Sequence, residues 1–184
     1  MSLPSLILLL VAPAQAAFGV STDAFPWALR GYSAIVNVEP TTTPHLRTSL
    51  EVWGMDMPAF AVELAPENHG EDWRRRVDVG VAPAVTWHPW QEGEGLHAGI
   101  MLNAMRSTVS REGLDGRASF WTLEVLPRVG FRWFPFEDRG LFIDPWIGIG
   151  QLNQLGAPAK VGGEAYAEPG FQPLGTLHVG WRSR

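Results

Sequence analysis

The stretch Arg74-Arg75-Arg76-Val77-Asp78-Val79-Gly80-Val81-Ala82-Pro83-Ala84-Val85-Thr86-Trp87-His88 decides the fold. Val77, Val79, Val81, Val85 and Trp87 share one parity, interrupted by Pro83. Asp78, Gly80, Ala82, Ala84, Thr86 and His88 share the other. A strand sends alternate side chains to opposite faces. This period of two therefore reads as a strand with one bulky apolar face and one small or polar face.

Six further segments repeat the pattern. In 120–134, Trp121, Leu123, Val125, Val129, Phe131 and Trp133 oppose Thr122, Glu124, Arg128, Gly130 and Arg132. In 96–108, Leu96, Ile100 and Leu102 oppose His97, Asn103 and Ser107, and in 46–54, Leu46, Leu50 and Val52 oppose Arg47, Ser49 and Glu51. In 32–39, Tyr32, Val36 and Val38 oppose Ser33, Asn37 and Glu39. In 141–150, Leu141, Ile143, Ile147 and Ile149 oppose Asp144, Gly148 and Gly150. The last, 176–181, sets Leu177, Val179 and Trp181 against Thr176, His178 and Gly180.

The two faces are the wrong way round for a soluble sandwich. The apolar faces are wide, β-branched or aromatic, and the opposite faces mix small residues with full charges. Buried charges are costly unless paired. If these were solvent faces, lysines would stand among them, yet the chain holds one, Lys160. A lipid-facing apolar wall around a charged lumen fits better. The expected fold is all-β: an antiparallel up-and-down transmembrane β-barrel of about eight strands.

Composition agrees. The 184 residues suit one domain, and nine Trp and nine Phe against two Tyr are a heavy aromatic load that a barrel places at the membrane rims. A net charge of -5 offers nucleic acid no basic surface, and the absence of cysteine removes disulfides and thiolate sites. Residues 1–16 read as a cleaved signal peptide: an apolar run over 6–12, a break at Pro13, then Ala14-Gln15-Ala16. The run is too short for a transmembrane helix. Residues 17–184 are then the barrel domain, with the bacterial outer membrane as its destination.

Connections alternate short (40–44, 89–95, 135–140) and long (57–72, 110–117, 153–170), as periplasmic turns and extracellular loops do. Seven strands are clear. The eighth is assigned to 18–25, with 160–168 as the alternative. Within the first long loop, 56–64 has the spacing of a short helix.

Read as strands, the chain resembles the small eight-stranded outer-membrane barrels of the OmpA and OmpW-like superfamily, and within it an uncharacterised subgroup. The shared segments are Arg30-Gly31-Tyr32-Ser33, Gly54-Met55-Asp56-Met57-Pro58, Trp133-Phe134-Pro135-Phe136, Pro145-Trp146-Ile147-Gly148-Ile149-Gly150 and Thr176-Leu177-His178-Val179-Gly180-Trp181. The resemblance implies no catalytic residues. Such barrels usually finish on an aromatic residue, whereas this chain continues past Trp181 with Arg182-Ser183-Arg184.

The candidate site is a lumen charge network of Arg47, Glu51, Asp78, Glu124, Arg128, Arg132 and Asp144. Arg128 and Glu124 lie too far apart along their own strand to touch, so Glu51, Asp78 and Asp144 are the partners expected for the arginines. Such a network either plugs the lumen or lines a narrow pore. Arg74, Arg75 and Arg76 are candidate contacts for lipid phosphates, the alternative being an ordinary strand start with one arginine turned inward. No metal site, catalytic site or cofactor is expected. Expected partners are outer-membrane lipid, lipopolysaccharide and the barrel-assembly machinery, with the chain a monomer. The leading function is non-enzymatic, structural or lipid- and surface-interacting. Two other readings are a lipid hydrolase built on Ser107, His97 and Glu124, and a secreted lipocalin-like barrel.

Overall fold

The computed structural model describes residues 16–90, 92–136 and 140–183. Its strands in chain order are β1 (Ala16–Asp23), β2 (Tyr32–Pro40), β3 (Leu46–Asp56), β4 (Trp73–Trp87), β5 (Gly95–Arg111), β6 (Ala118–Arg132), β7 (Leu141–Leu155), β8 (Lys160–Val161), β9 (Glu164–Ala165) and β10 (Phe171–Arg182). Each long strand pairs antiparallel with its neighbours in the order β1-β10-β7-β6-β5-β4-β3-β2, and β1 pairs with β2 to close the barrel. The eight-stranded up-and-down fold expected from the period of two is the fold observed.

Residues 1–15 of the expected signal peptide lie outside the described residues, and Ala16 is the first residue of β1. The eighth strand is the N-terminal segment, but it stops two residues earlier than expected. Asp23 accepts the backbone N–H of Phe25 at 2.8 Å and so caps a short helix, α1 (Ala24–Ala28). Helix α1 lies between β10 on one side and β2 and β3 on the other, filling the wall where β1 is too short. The alternative segment folds as the small β8-β9 hairpin inside the last long loop. The helix expected in the first long loop is α2 (Ala59–Val62). No helix among the described residues is long and apolar enough to cross a membrane.

Short turns gather at one end, the turn end, and the three long loops at the other, the loop end. Aromatic side chains ring the outer wall at both heights: Trp87, Phe131, Trp133 and Trp181 near the turns, Trp27, Tyr32, Trp121 and Phe171 near the loops. On β6 the two rings are marked by Trp121 and Phe131, ten residues apart. At about 3.4 Å per residue and a tilt of about 40°, that is about 26 Å of height, close to the apolar band of about 25 Å on outer-membrane barrels.

One register detail departs from the sequence reading. Strand β4 carries a β-bulge: Val77 pairs with Ser107 and Val79 with Arg106, leaving Asp78 as the extra residue. A bulge exchanges the two faces of the strand beyond it. Val77, expected outside, is fully buried against Met105 and Leu152. Arg75 turns inward with it, and Asp78 turns outward.

The interior is layered. Arg47, Arg132 and Asp144 lie near the turn end. Above them Met101, Leu126 and Trp146 pack with Ala82 and Ala84, and then Val77, Met105 and Leu152 form a second apolar layer. At the loop end Trp73, Val109 and Phe120 of the strands meet Val62, Val161 and Tyr166 of the loops in one apolar cluster. The lumen is therefore filled with side chains, as an eight-stranded barrel allows.

Candidate functional site

At the turn end, Asp144 is the shared anion. Its Oδ2 accepts Arg47 at 2.8 Å and Arg132 Nε at 3.3 Å, while its Oδ1 lies 2.7 Å from His97 Nε2. Arg132 also donates to Glu39, whose other oxygen accepts Arg182 at 2.9 Å. The Arg132 and Arg182 guanidinium carbons sit 4.1 and 4.5 Å from the ring centroids of Phe142 and Phe134. Arg47, Arg132, Asp144, Glu39 and His97 are all buried. Geometry this close offsets much of the desolvation that charges pay inside a protein.

Of the seven residues expected to form one network, three meet here: Arg47, Arg132 and Asp144. Three others lie inside but apart from them. Glu51 accepts the Ser33 hydroxyl at 2.8 Å. Glu124 accepts the Asn103 amide at 3.1 Å, in space left by Gly150, where a Cβ would overlap its carboxylate. Arg128 makes a 3.4 Å contact to Thr86 Oγ1 and lies 5.2 Å from the Trp146 ring centroid. Among the described residues it has no carboxylate within ion-pair distance.

Asp78 is the correction. The bulge turns it to the outer face, where Thr108 Oγ1 donates to it at 2.7 Å and the Tyr32 hydroxyl donates to its backbone oxygen at 2.9 Å. The expected network left out Glu39 and Arg182. Glu39 already stood on the inward face with Ser33 and Asn37, and Arg182 continues the inward parity of His178 and Gly180 to the strand end. Ser183 continues the pairing with β1, its backbone N–H donating to Phe18 O at 2.6 Å.

The three arginines of 74–76 separate by parity. Arg74 and Arg76 face outward and pair with Glu112 and Asp56 at 2.7 and 2.6 Å on the surface. Arg75 is buried, 2.6 Å from Glu168 and 3.1 Å from Ser107 Oγ, which removes it from any lipid-facing set. Glu168 belongs to the last long loop; burial pushes its carboxyl up, against the pull of Arg75. Tyr166 stands beside it with rings of Trp73 and Phe120 at 5.5 and 5.6 Å, and burial pushes its phenol up to about 12. Asn68 ties the first and last long loops together: its amide donates to Val62 O and Ala167 O at 3.0 and 2.7 Å and accepts Ala167 N–H at 3.2 Å.

The hydrolase set is not assembled. His97 and Ser107 lie on the same strand, ten residues apart, which is about 34 Å at strand rise. Ser107 bonds Arg75 in the loop-end half, and His97 bonds Asp144 in the turn-end half.

Midway up the lumen, Asp23 of β1, Glu51 of β3 and His178 of β10 come together. All three are buried, and their ligand-type atoms lie within 4.8 Å of one another. His178 Nε2 is 3.8 Å from Asp23 Oδ2 and accepts the Trp146 indole N–H at 2.9 Å. No two of these residues share a strand, so no spacing along the chain announces them.

No protein-family model matches the chain, and no curated protein matches it. Among solved structures, the chain is similar to a major outer membrane protein from Thermus thermophilus. That likeness has 12% identity, covers 92% of this chain and all of the other, and reaches a TM-score of 0.51. It is also similar to Neisserial surface protein A, NspA, at 12% identity over 91% of this chain and 92% of that one, with a TM-score of 0.38. The first likeness shows the fold, that of an outer-membrane β-barrel protein.

Proposed function

We propose that this chain resides in a bacterial outer membrane as a small, non-enzymatic barrel of the OmpA and OmpW-like kind, with a plugged lumen and a structural or lipid- and surface-contacting role. The observation that carries the reading is the inverted wall. Apolar side chains such as Val36, Ile100, Val129 and Ile147 are exposed, while Arg47, Arg132, Glu124 and Asp144 are buried. Water would penalise such a wall, and a bilayer removes the penalty. In this reading residues 1–16 direct export, the barrel-assembly machinery inserts the chain as a monomer, and the long loops face outward. Arg74, exposed on the outer wall at the loop end, and Arg76, half-buried beside it, face the side on which lipopolysaccharide phosphates would lie.

Cell fractionation with boiled and unboiled gel mobility tests the location. The protein is expected in the outer-membrane fraction and to migrate differently before and after boiling; a soluble periplasmic protein would overturn the reading. Planar bilayers test the plug, for which little conductance is expected. A large, steady conductance would replace it with a pore. Val125→Arg puts a charge on the outer face in mid-wall, at a cost of about 2–4 kcal/mol. Thr122→Ser on the inner face should cost less, and the reverse order would mean that lipid does not cover this wall.

A further inference from the structure

We propose that Asp23, Glu51 and His178 form a binding site for one divalent transition-metal ion inside the barrel. Three strands deliver them to one point, with ligand-type atoms all within 4.8 Å. Zinc bonds of about 2.0–2.2 Å to oxygen and nitrogen need donors somewhat closer than this. Modest side-chain rotation closes the difference, and the Asp23–His178 separation of 3.8 Å is already near it.

The carboxylates are oriented as ligands are. Asp23 Oδ1 is held by the Phe25 backbone N–H and by the Thr176 hydroxyl. Glu51 Oε1 is held by the Ser33 hydroxyl, which also accepts the Asp23 backbone N–H at 3.2 Å. Each carboxylate therefore keeps its second oxygen free of hydrogen bonds among the described residues. Outer-shell hydrogen bonds on one oxygen that aim the other are the usual support of metal ligands.

Charge points the same way. Two buried carboxylates this close repel unless something neutralises them. Among the described residues, no Lys or Arg lies within ion-pair distance of either; Arg128, turned to Thr86 and Trp146, acts on both carboxylates only from beyond that distance. Space is available as well. Asp23 and Glu51 line a cavity of about 40 Å³ together with Trp53, Asn103, Leu174 and Thr176. His178 is not on the wall of this cavity. A single water needs about 10–15 Å³ of such space, so the cavity has room for a water ligand on the carboxylate side of the ion. Two carboxylates and one imidazole suit zinc or manganese better than a soft thiolate metal. Binding at His178 Nε2 takes the lone pair that the Trp146 indole N–H now holds, so Trp146 reports occupancy.

The test uses the full chain, folded in detergent and stripped with chelator, then titrated with zinc chloride by calorimetry. One zinc per chain is expected, with a rise in thermal midpoint and a change in Trp146 emission that Trp146→Phe abolishes. Glu51→Gln and His178→Gln should each weaken binding by more than about 100-fold, beyond the loss typical of an outer-shell partner. His45→Gln with His69→Gln removes two imidazoles outside the site and should leave binding intact. X-ray absorption at the zinc edge on the unmutated protein covers variants that fail to fold. One imidazole with oxygen ligands is expected. No stoichiometric binding, binding that survives Glu51→Gln with His178→Gln, or a shell without a single imidazole would overturn the site.

Discussion

The two ends of the barrel are closed by different physics. At the turn end, charges from β2, β3, β6, β7 and β10 and the His97 imidazole of β5 meet across the lumen around Asp144 and Glu39. At the loop end, an apolar cluster joins strand residues to loop residues, and Asn68 and the Arg75–Glu168 pair hold the loops in place. Every charged member of the first closure sits on a strand, so it breaks only when the wall breaks. Half of the second hangs on connections, so it can open while the wall stays whole. Closure by strands should therefore register in global stability, and closure by loops in local opening.

The largest test of that contrast is Asp144→Ala. It leaves Arg47 and Arg132 buried without their shared carboxylate, and losing one partner of a buried pair costs about 3–5 kcal/mol. Urea unfolding followed by gel mobility should show the loss as a shift of the whole transition. An effect confined to the turns, with the global midpoint unmoved, would break the contrast at its stronger end.

Asn68→Ala comes next. It leaves two carbonyls and one N–H of the loops without a partner, at about 1–3 kcal/mol for a buried group left unsatisfied. Hydrogen exchange should rise in 57–72 and 156–170 with the barrel transition unchanged. A matching fall in global stability would mean that cap and wall form one cooperative unit.

Arg128→Met is expected to be smaller still, and neutral or slightly stabilising in the same urea transition. Arg128 lacks a carboxylate at ion-pair distance, so the substitution strands no close partner, and apolar replacements of buried charges are often tolerated. A loss as large as that of Asp144→Ala would join Arg128 to the turn-end cluster.

The smallest effect sharpens the apolar end. A phenol pushed up to about 12 keeps its proton longer when folded than when unfolded. Its contribution to the cap is thus full below the ordinary value of about 10 and is lost as pH rises toward 12. In a Tyr32→Phe background, the tyrosinate absorbance of Tyr166 should titrate near 12. Titration at the ordinary value would mean that water reaches the ring.

The sequence by itself determined the wall. With a period of two, each residue's face follows from its parity, and a slip of one residue would turn a whole strand inside out. That is why the outward faces of β2, β3, β5, β6, β7 and β10 were legible down to single residues, and why Glu39 and Arg182 were legible in principle. Tertiary structure alone decided what faces what across the lumen. Parity says that Arg128 and Asp144 both point inward; barrel closure and strand stagger set their heights, and those give Asp144 to Arg47, Arg132 and His97 instead. The bulge at Asp78 was hidden because Val77 is at home on either face, packed on Met105 inside as readily as against lipid outside. Asp23, Glu51 and His178 were hidden for the same kind of reason. They belong to three strands whose meeting depends on closing the sheet, and no interval along the chain records where a closed sheet brings its strands together.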